Sequence, residues 1–156
     1  MSRMRAWIWM LVVVLGGCFM ANTSPAKKIT DSVQDLNEQA RWGRIGDASL
    51  LVEPGYRDEF LNAHQGWGSD IQLADTEIVH VQIAADAEHA SAIVTYSWYA
   101  MDSMTLHETT IRQRWSAHSG GYALTSEAVV KGDPRLLNAT ASNGVKNAGS
   151  SLYRAE

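Results

Sequence analysis

A single cysteine, Cys18, stands among the 156 residues, so an intramolecular disulfide, a CxxC redox pair and a multi-cysteine metal site are all excluded. Basic side chains are in the minority, with 13 Lys and Arg against 17 Asp and Glu. That balance disfavours nucleic acid and anionic lipid surfaces, which require basic patches. The histidines, at 64, 80, 89, 107 and 118, show no HxxxH or comparable ligand spacing, and no metal is expected. No G-x-S-x-G elbow is present. Gly66-Trp67-Gly68 is a lone GxG with no strand before it, so it punctuates a helix end rather than cradling phosphate. No catalytic motif emerges, no catalytic residue is assigned, and no cofactor is implied. The one long apolar run, Ala6 to Leu15, falls short of the ~20 residues that span a bilayer.

That run belongs to an address. Arg3 and Arg5 precede it and the small residues Gly16 and Gly17 follow it, which is the three-part layout of a secretory signal peptide over residues 1–17. The run Leu15-Gly16-Gly17-Cys18 resembles the lipobox of bacterial lipoproteins. The resemblance implies that Leu15, Gly16 and Gly17 are the cleavage-recognition positions and that cleavage falls before Cys18. It further implies that the Cys18 thiol receives a diacylglyceryl group and the new amino terminus is acylated. Two or three chains, at about 0.8 kcal/mol per buried CH₂, anchor almost permanently where one would exchange. Phe19 follows, where an aspartate often marks inner-membrane retention, so the implied location is the outer membrane, facing the periplasm. The competing reading is an ordinary secretory signal with Cys18 as a small core residue; its position directly after the glycine pair argues against this. Losing Arg3 and Arg5 leaves eleven basic against seventeen acidic side chains, a mature net charge of −6.

Residues 18–28, with Asn22, Thr23, Ser24, Pro25 and two lysines, read as a flexible tether. Residues 138–156 open with a stretch almost wholly of Asn, Ala, Ser, Thr and Gly, too little apolar surface to offset the entropy of ordering, and read as a disordered tail. One folded domain is expected over residues 29–137. Its first part is helical: Asp31 is the expected N-cap, with Gln34 three residues on, and Val33, Leu36, Ala40, Ala48 and Leu51 recur near a 3.6 period. Gly43 and Gly46 weaken that helix, unless they permit close backbone approach to a neighbour. Pro54 ends the segment. A second helix over Tyr56 to His64 turns Tyr56, Phe60 and Ala63 inward.

From Ile71 the period becomes two. A short extended piece at Ile71 to Leu73 precedes four strands at 77–85, 90–100, 105–117 and 122–130, an antiparallel meander. Centring the loops pairs Val81 with Val94, Val79 with Tyr96, Val94 with Ile111, and Trp115 with Leu124. That register puts Val79, Val81, Ile83, Ala92, Val94, Tyr96, Trp98, Ile111, Trp115, Leu124, Ala128 and Val130 on one face, to be covered by the helices. The expected class is α+β, two N-terminal helices on a curved four- to five-stranded antiparallel sheet. The element order, the Pro54–Phe60 second helix and the Asp75-Thr76-Glu77-Ile78 strand start resemble the nuclear transport factor two-like superfamily, also called the cone or cystatin-like fold. The resemblance spans about Thr30 to Lys131 and implies a pocket between helices and sheet. Its members include isomerases, dehydratases, cyclases and many non-catalytic domains. A lipocalin-like barrel would need about eight strands and no helical start.

Polar residues on the inner face are the candidates for a pocket. The expected register sets Glu77 opposite Trp98 and Trp98 opposite His107, with Thr109 beside it. Glu77 and His107 would then flank the indole about 10 Å apart, able to bind a small ligand or move a proton. Gln113 pairs with Ser126 between Ile111 and Trp115, and Tyr96 completes the wall. The plainer reading takes precedence: Glu77 and His107 sit partly wet at the sheet's end, and Gln113 and Ser126 bond each other or a helix. Trp42 and Trp67 could form an exposed aromatic patch for a partner or glycan, though packing against the sheet is favoured. The expected function is a lipid-anchored cell-envelope lipoprotein, a non-catalytic binding or assembly module with the membrane and an envelope protein as partners. The alternative is a small-ligand binder or isomerase- or dehydratase-like enzyme using the inner pocket.

Overall fold

The computed structural model describes residues 24–137; the expected signal peptide, Cys18 and the tail 138–156 lie outside them. Helix α1 (Pro25–Arg41) starts earlier than the sequence suggested. Ser24 adopts an extended conformation and its hydroxyl accepts from the Lys27 N–H at 3.3 Å, with proline at the first helical position. A serine cap followed by proline is a strong helix start, so residues 25–28 of the expected tether are helical. Asp31, expected as the cap, instead lies one turn into the helix and pairs with Lys27 at 2.7 Å. Ile29, Val33, Leu36 and Ala40 form the buried stripe.

The single helix expected through Leu51 is broken. Trp42 caps α1, and Gly43 takes φ +69°, the left-handed conformation that glycine enters without a Cβ penalty. A short helix α2 (Ile45–Ala48), a 3₁₀ turn (Ser49–Leu51) and α3 (Arg57–Ala63) follow, making three α-helices among the described residues where two were expected. α3 matches the second expected helix, with Phe60 fully buried. The close-approach role considered for Gly43 is real, since a Cβ there would sit 2.9 Å from the Gly68 Cα. Gly43→Ala should therefore cost about 1–3 kcal/mol in denaturant unfolding. Gly46→Ala, in α2 with nothing within 4 Å, should be neutral or stabilise by up to about 1 kcal/mol.

The strands β1 (Ile71–Ile83), β2 (His89–Ala100), β3 (Leu106–His118) and β4 (Gly121–Gly132) form one four-stranded antiparallel sheet in the order β1-β2-β3-β4. The protein is thus α+β, and the extended piece at Ile71 to Leu73 is the start of β1 rather than a fifth strand. α1 lies against β1 and β4. The β2–β3 register is as expected, Val94 opposite Ile111 and Trp98 opposite His107. So is Trp115 opposite Leu124.

Elsewhere bulges change the outcome. β1 carries two, at Ala74 and Val79, so Val81 faces Ala92, Ile78 faces Val94, Thr76 faces Tyr96 and Leu73 faces Trp98. Val79 is exposed and Glu77 pairs with Thr95 on the outer face. β4 carries two more, at Thr125 and Val130. They turn Glu127 rather than Ser126 toward Gln113, and leave Ala128 and Val130 exposed. Each bulged residue inverts the alternation beyond it.

Candidate functional site

The structure divides the expected pocket residues. Tyr96, Trp98, Thr109, Gln113 and Trp115 are all buried on the inner face, and Glu77 is not among them. Its expected carboxylate–indole–imidazole arrangement does not form, because the two β1 bulges carry Glu77 to the opposite side. His107 does stack on Trp98, with ring centroids 4.6 Å apart, and is 22% exposed at the sheet's end. Trp98 Nε1 donates to Thr109 Oγ1 at 3.0 Å, and that hydroxyl also donates to the Asp133 carbonyl and accepts from the Asp133 N–H, each at 3.1 Å. One hydroxyl with one donor and two acceptor positions is then saturated. His107 Nδ1 lies 3.7 Å from the Asp133 carboxylate. Arg135 grips that carboxylate through Nη2 at 2.6 Å and holds it below the usual range.

A second cluster, deeper in the core, brings in residues the sequence did not nominate: Asn37, His64 and Glu127. Asn37 and Gln113 exchange amide hydrogen bonds at 3.1 and 3.2 Å, Asn37 also donates to the Val33 carbonyl, and the Tyr96 hydroxyl donates to Asn37 Oδ1. Gln113 Nε2 donates to Glu127 Oε1 at 3.1 Å. Glu127 Oε2 lies 3.3 Å from His64 Nε2, both side chains 1% exposed, but the contact is misaligned and leaves Oε2 without a hydrogen bond. His64 Nδ1 faces the Phe60 carbonyl at 2.7 Å, which makes Nδ1 a donor and fixes the ring's orientation. Burial and then the Glu127 charge push the Tyr96 hydroxyl well above its ordinary value. The same two causes raise Tyr56, whose hydroxyl accepts from the Glu127 N–H at 3.2 Å. Both phenols stay protonated at neutral pH.

The signals for these residues were faint. Asn37 interrupts the apolar stripe of α1, and a polar residue at a core position asks for a partner. His64 follows Phe60 by one helical turn. Glu127 is hidden by the bulge at Thr125.

No family model matches the chain, and no curated protein matches it. Among solved structures it is similar to the intermembrane space region of the chloroplast protein ARC6, with a TM-score of 0.43 and 13% identity over 67% of this chain and 95% of that one. A likeness at this level carries no statement about fold family or ligand.

The remaining features are at the surface. Trp67 is buried, its Nε1 donating to the Leu136 carbonyl at 2.8 Å, so the exposed pair with Trp42 does not form. Trp42 alone is 67% exposed. Among the described residues no group of three His, Cys, Asp or Glu is placed to hold a metal ion, and no helix is long and apolar enough to cross a membrane.

Proposed function

We propose that this is a lipid-anchored bacterial envelope protein, held in the outer membrane through Cys18 with its domain in the periplasm, acting as a non-catalytic binding or assembly module. The domain is read as a cone-type fold of the nuclear transport factor two-like kind. One observation carries the non-catalytic part: most of the inner-face polar groups, Trp98 Nε1, Thr109, Asn37 and Gln113, bond one another or the backbone, leaving Trp115 Nε1, Thr76 Oγ1 and Glu127 Oε2 unpaired. Polar groups satisfied within the fold are not presented to a ligand. The function then falls to the solvent-accessible surfaces and grooves of the domain. His107→Ala, at the rim of the expected pocket, should leave folding and cellular phenotype intact; loss of phenotype with an unchanged melting transition would overturn the non-catalytic reading.

The anchor is supported by the order of charge, apolar run, glycine pair and cysteine in residues 3–18. Cys18→Ser should leave the precursor uncleaved and free the protein from a lipidated membrane fraction, read by fractionation and mass spectrometry. A cleaved Cys18→Ser product that stays with membranes removes the lipid anchor. A second reading, a ligand pocket or isomerase-like enzyme, is favoured by one feature, the buried Glu127 Oε2 beside His64.

A further inference from the structure

An open groove of about 380 Å³ runs between α1 and the inner face of β1, lined by Gln34, Asn37, Glu38, Arg41 and Trp42 on the helix side and Thr76 and Ile78 on the strand; the Asn37 amide is already committed to Val33, Tyr96 and Gln113 and forms only the floor. The volume is within the range of small-ligand sites, about 300–1,000 Å³. Gln34, Asn37, Glu38 and Arg41 follow the i, i+3, i+4, i+7 spacing of a single helix face, so the groove is a stripe of amide, carboxylate and guanidinium ending in the indole of the C-cap Trp42. Arg41 is braced across the end of the groove, Nη2 donating to the Ala74 carbonyl at 3.3 Å and Nη1 lying 3.4 Å from Asp75. Its guanidinium stands 6.0 Å from the Trp42 ring. On the strand side the Thr76 hydroxyl is buried and has no hydrogen-bond partner.

We infer that this groove binds a saccharide, an N-acetylated amino-sugar strand. This rests on the reading of the protein as a binding module and names its ligand class. A flat indole that is mostly in water offers a platform for the apolar C–H face of a pyranose, as aromatic side chains with one face free do for amphipathic partners. Planar amide, carboxylate and guanidinium groups beside it match the in-plane hydroxyls of a sugar. Asp75 already offsets Arg41 and Glu38 adds a second carboxylate, so the groove repels anions and suits an uncharged ligand. An acetamido group supplies both a donor and an acceptor, either of which completes the stranded Thr76 hydroxyl; a buried hydroxyl left unpaired otherwise costs free energy.

The probe is the tetrasaccharide of β-1,4-linked N-acetylglucosamine, with maltotetraose as control, titrated into the full mature chain in detergent and followed by calorimetry and tryptophan fluorescence. The acetylated sugar should bind saturably and more tightly than the control. Trp42→Ala should weaken binding about ten-fold or more, Trp42→Tyr should largely retain it, and Thr76→Val should weaken it several-fold, with melting transitions unchanged for the Trp42 variants. No saturable binding, equal binding of both sugars, or full binding by Trp42→Ala overturns the assignment. The module reading falls by a different result, the loss of phenotype in His107→Ala with no effect of any surface variant.

Discussion

Trp98→Ala should destabilise the protein by about 3–5 kcal/mol, the usual cost of emptying a large aromatic site in a core. Three losses combine. The indole is fully buried between β1 and β3 positions, opposite Leu73 and His107. Its stack on His107 goes, and so does the hydrogen bond that ties it to Thr109. Thr109 in turn holds the backbone of Asp133, where the chain leaves β4 for the 3₁₀ turn Pro134–Leu136 that buries Leu136. Against a total stability of about 5–15 kcal/mol, the melting temperature should fall by about 10 °C or more. Trp42→Ala is the control: the residue is exposed, and surface changes usually stay within about 0.5 kcal/mol. A Trp98→Ala melting curve equal to that of Trp42→Ala would mean the sheet does not bury this face.

Glu127→Ala is the second large effect, also about 3–5 kcal/mol, because it removes one member of a buried polar set and strands the others. Gln113 Nε2 loses its carboxylate acceptor and His64 Nε2 is left facing a void, with Nδ1 still committed to the Phe60 carbonyl. Glu127→Gln should cost far less. Its carbonyl can keep the Gln113 bond while its amide donates toward His64 Nε2. The comparison by denaturant unfolding separates polar satisfaction from charge. Equal losses for Ala and Gln would show that the negative charge itself, not the hydrogen bonding, holds α3 to β4.

Both predictions concern residues whose legibility in the sequence differed for a physical reason. Trp98 was placed on the inner face because β2 and β3 alternate without interruption, so a centred turn fixes their register over eleven pairs. Glu127 was missed because the β4 run Leu124 to Val130 is ambiguous. Ala128 and Val130 favour one parity and Val129 the other, and a bulge at Thr125 decides between them. β1 has the same weakness: Ile78, Val79 and Val81 are apolar on both parities, so simple alternation points Val79 inward where Ile78 occupies that place. Glu77 went to the wrong face for the same cause. Helix ends are set by short-range signals. Tyr56, the expected start of the second helix, is the N-cap of α3, whereas at α1 the Ser24-Pro25 pair and not Asp31 sets the start. The buried network was not legible at all, since it joins α1, α3, β2, β3 and β4 at separations of up to 76 residues.

The bulges have one more effect. Both outer strands, β1 and β4, carry two each, and the Glu53 N–H already occupies the Leu124 carbonyl on the β4 side. A strand interrupted in this way makes a poor template for another molecule's backbone. Copies at high local concentration would therefore resist edge-to-edge strand pairing, protected from fibril-like growth by the same irregularities that misaligned the simple alternating pattern.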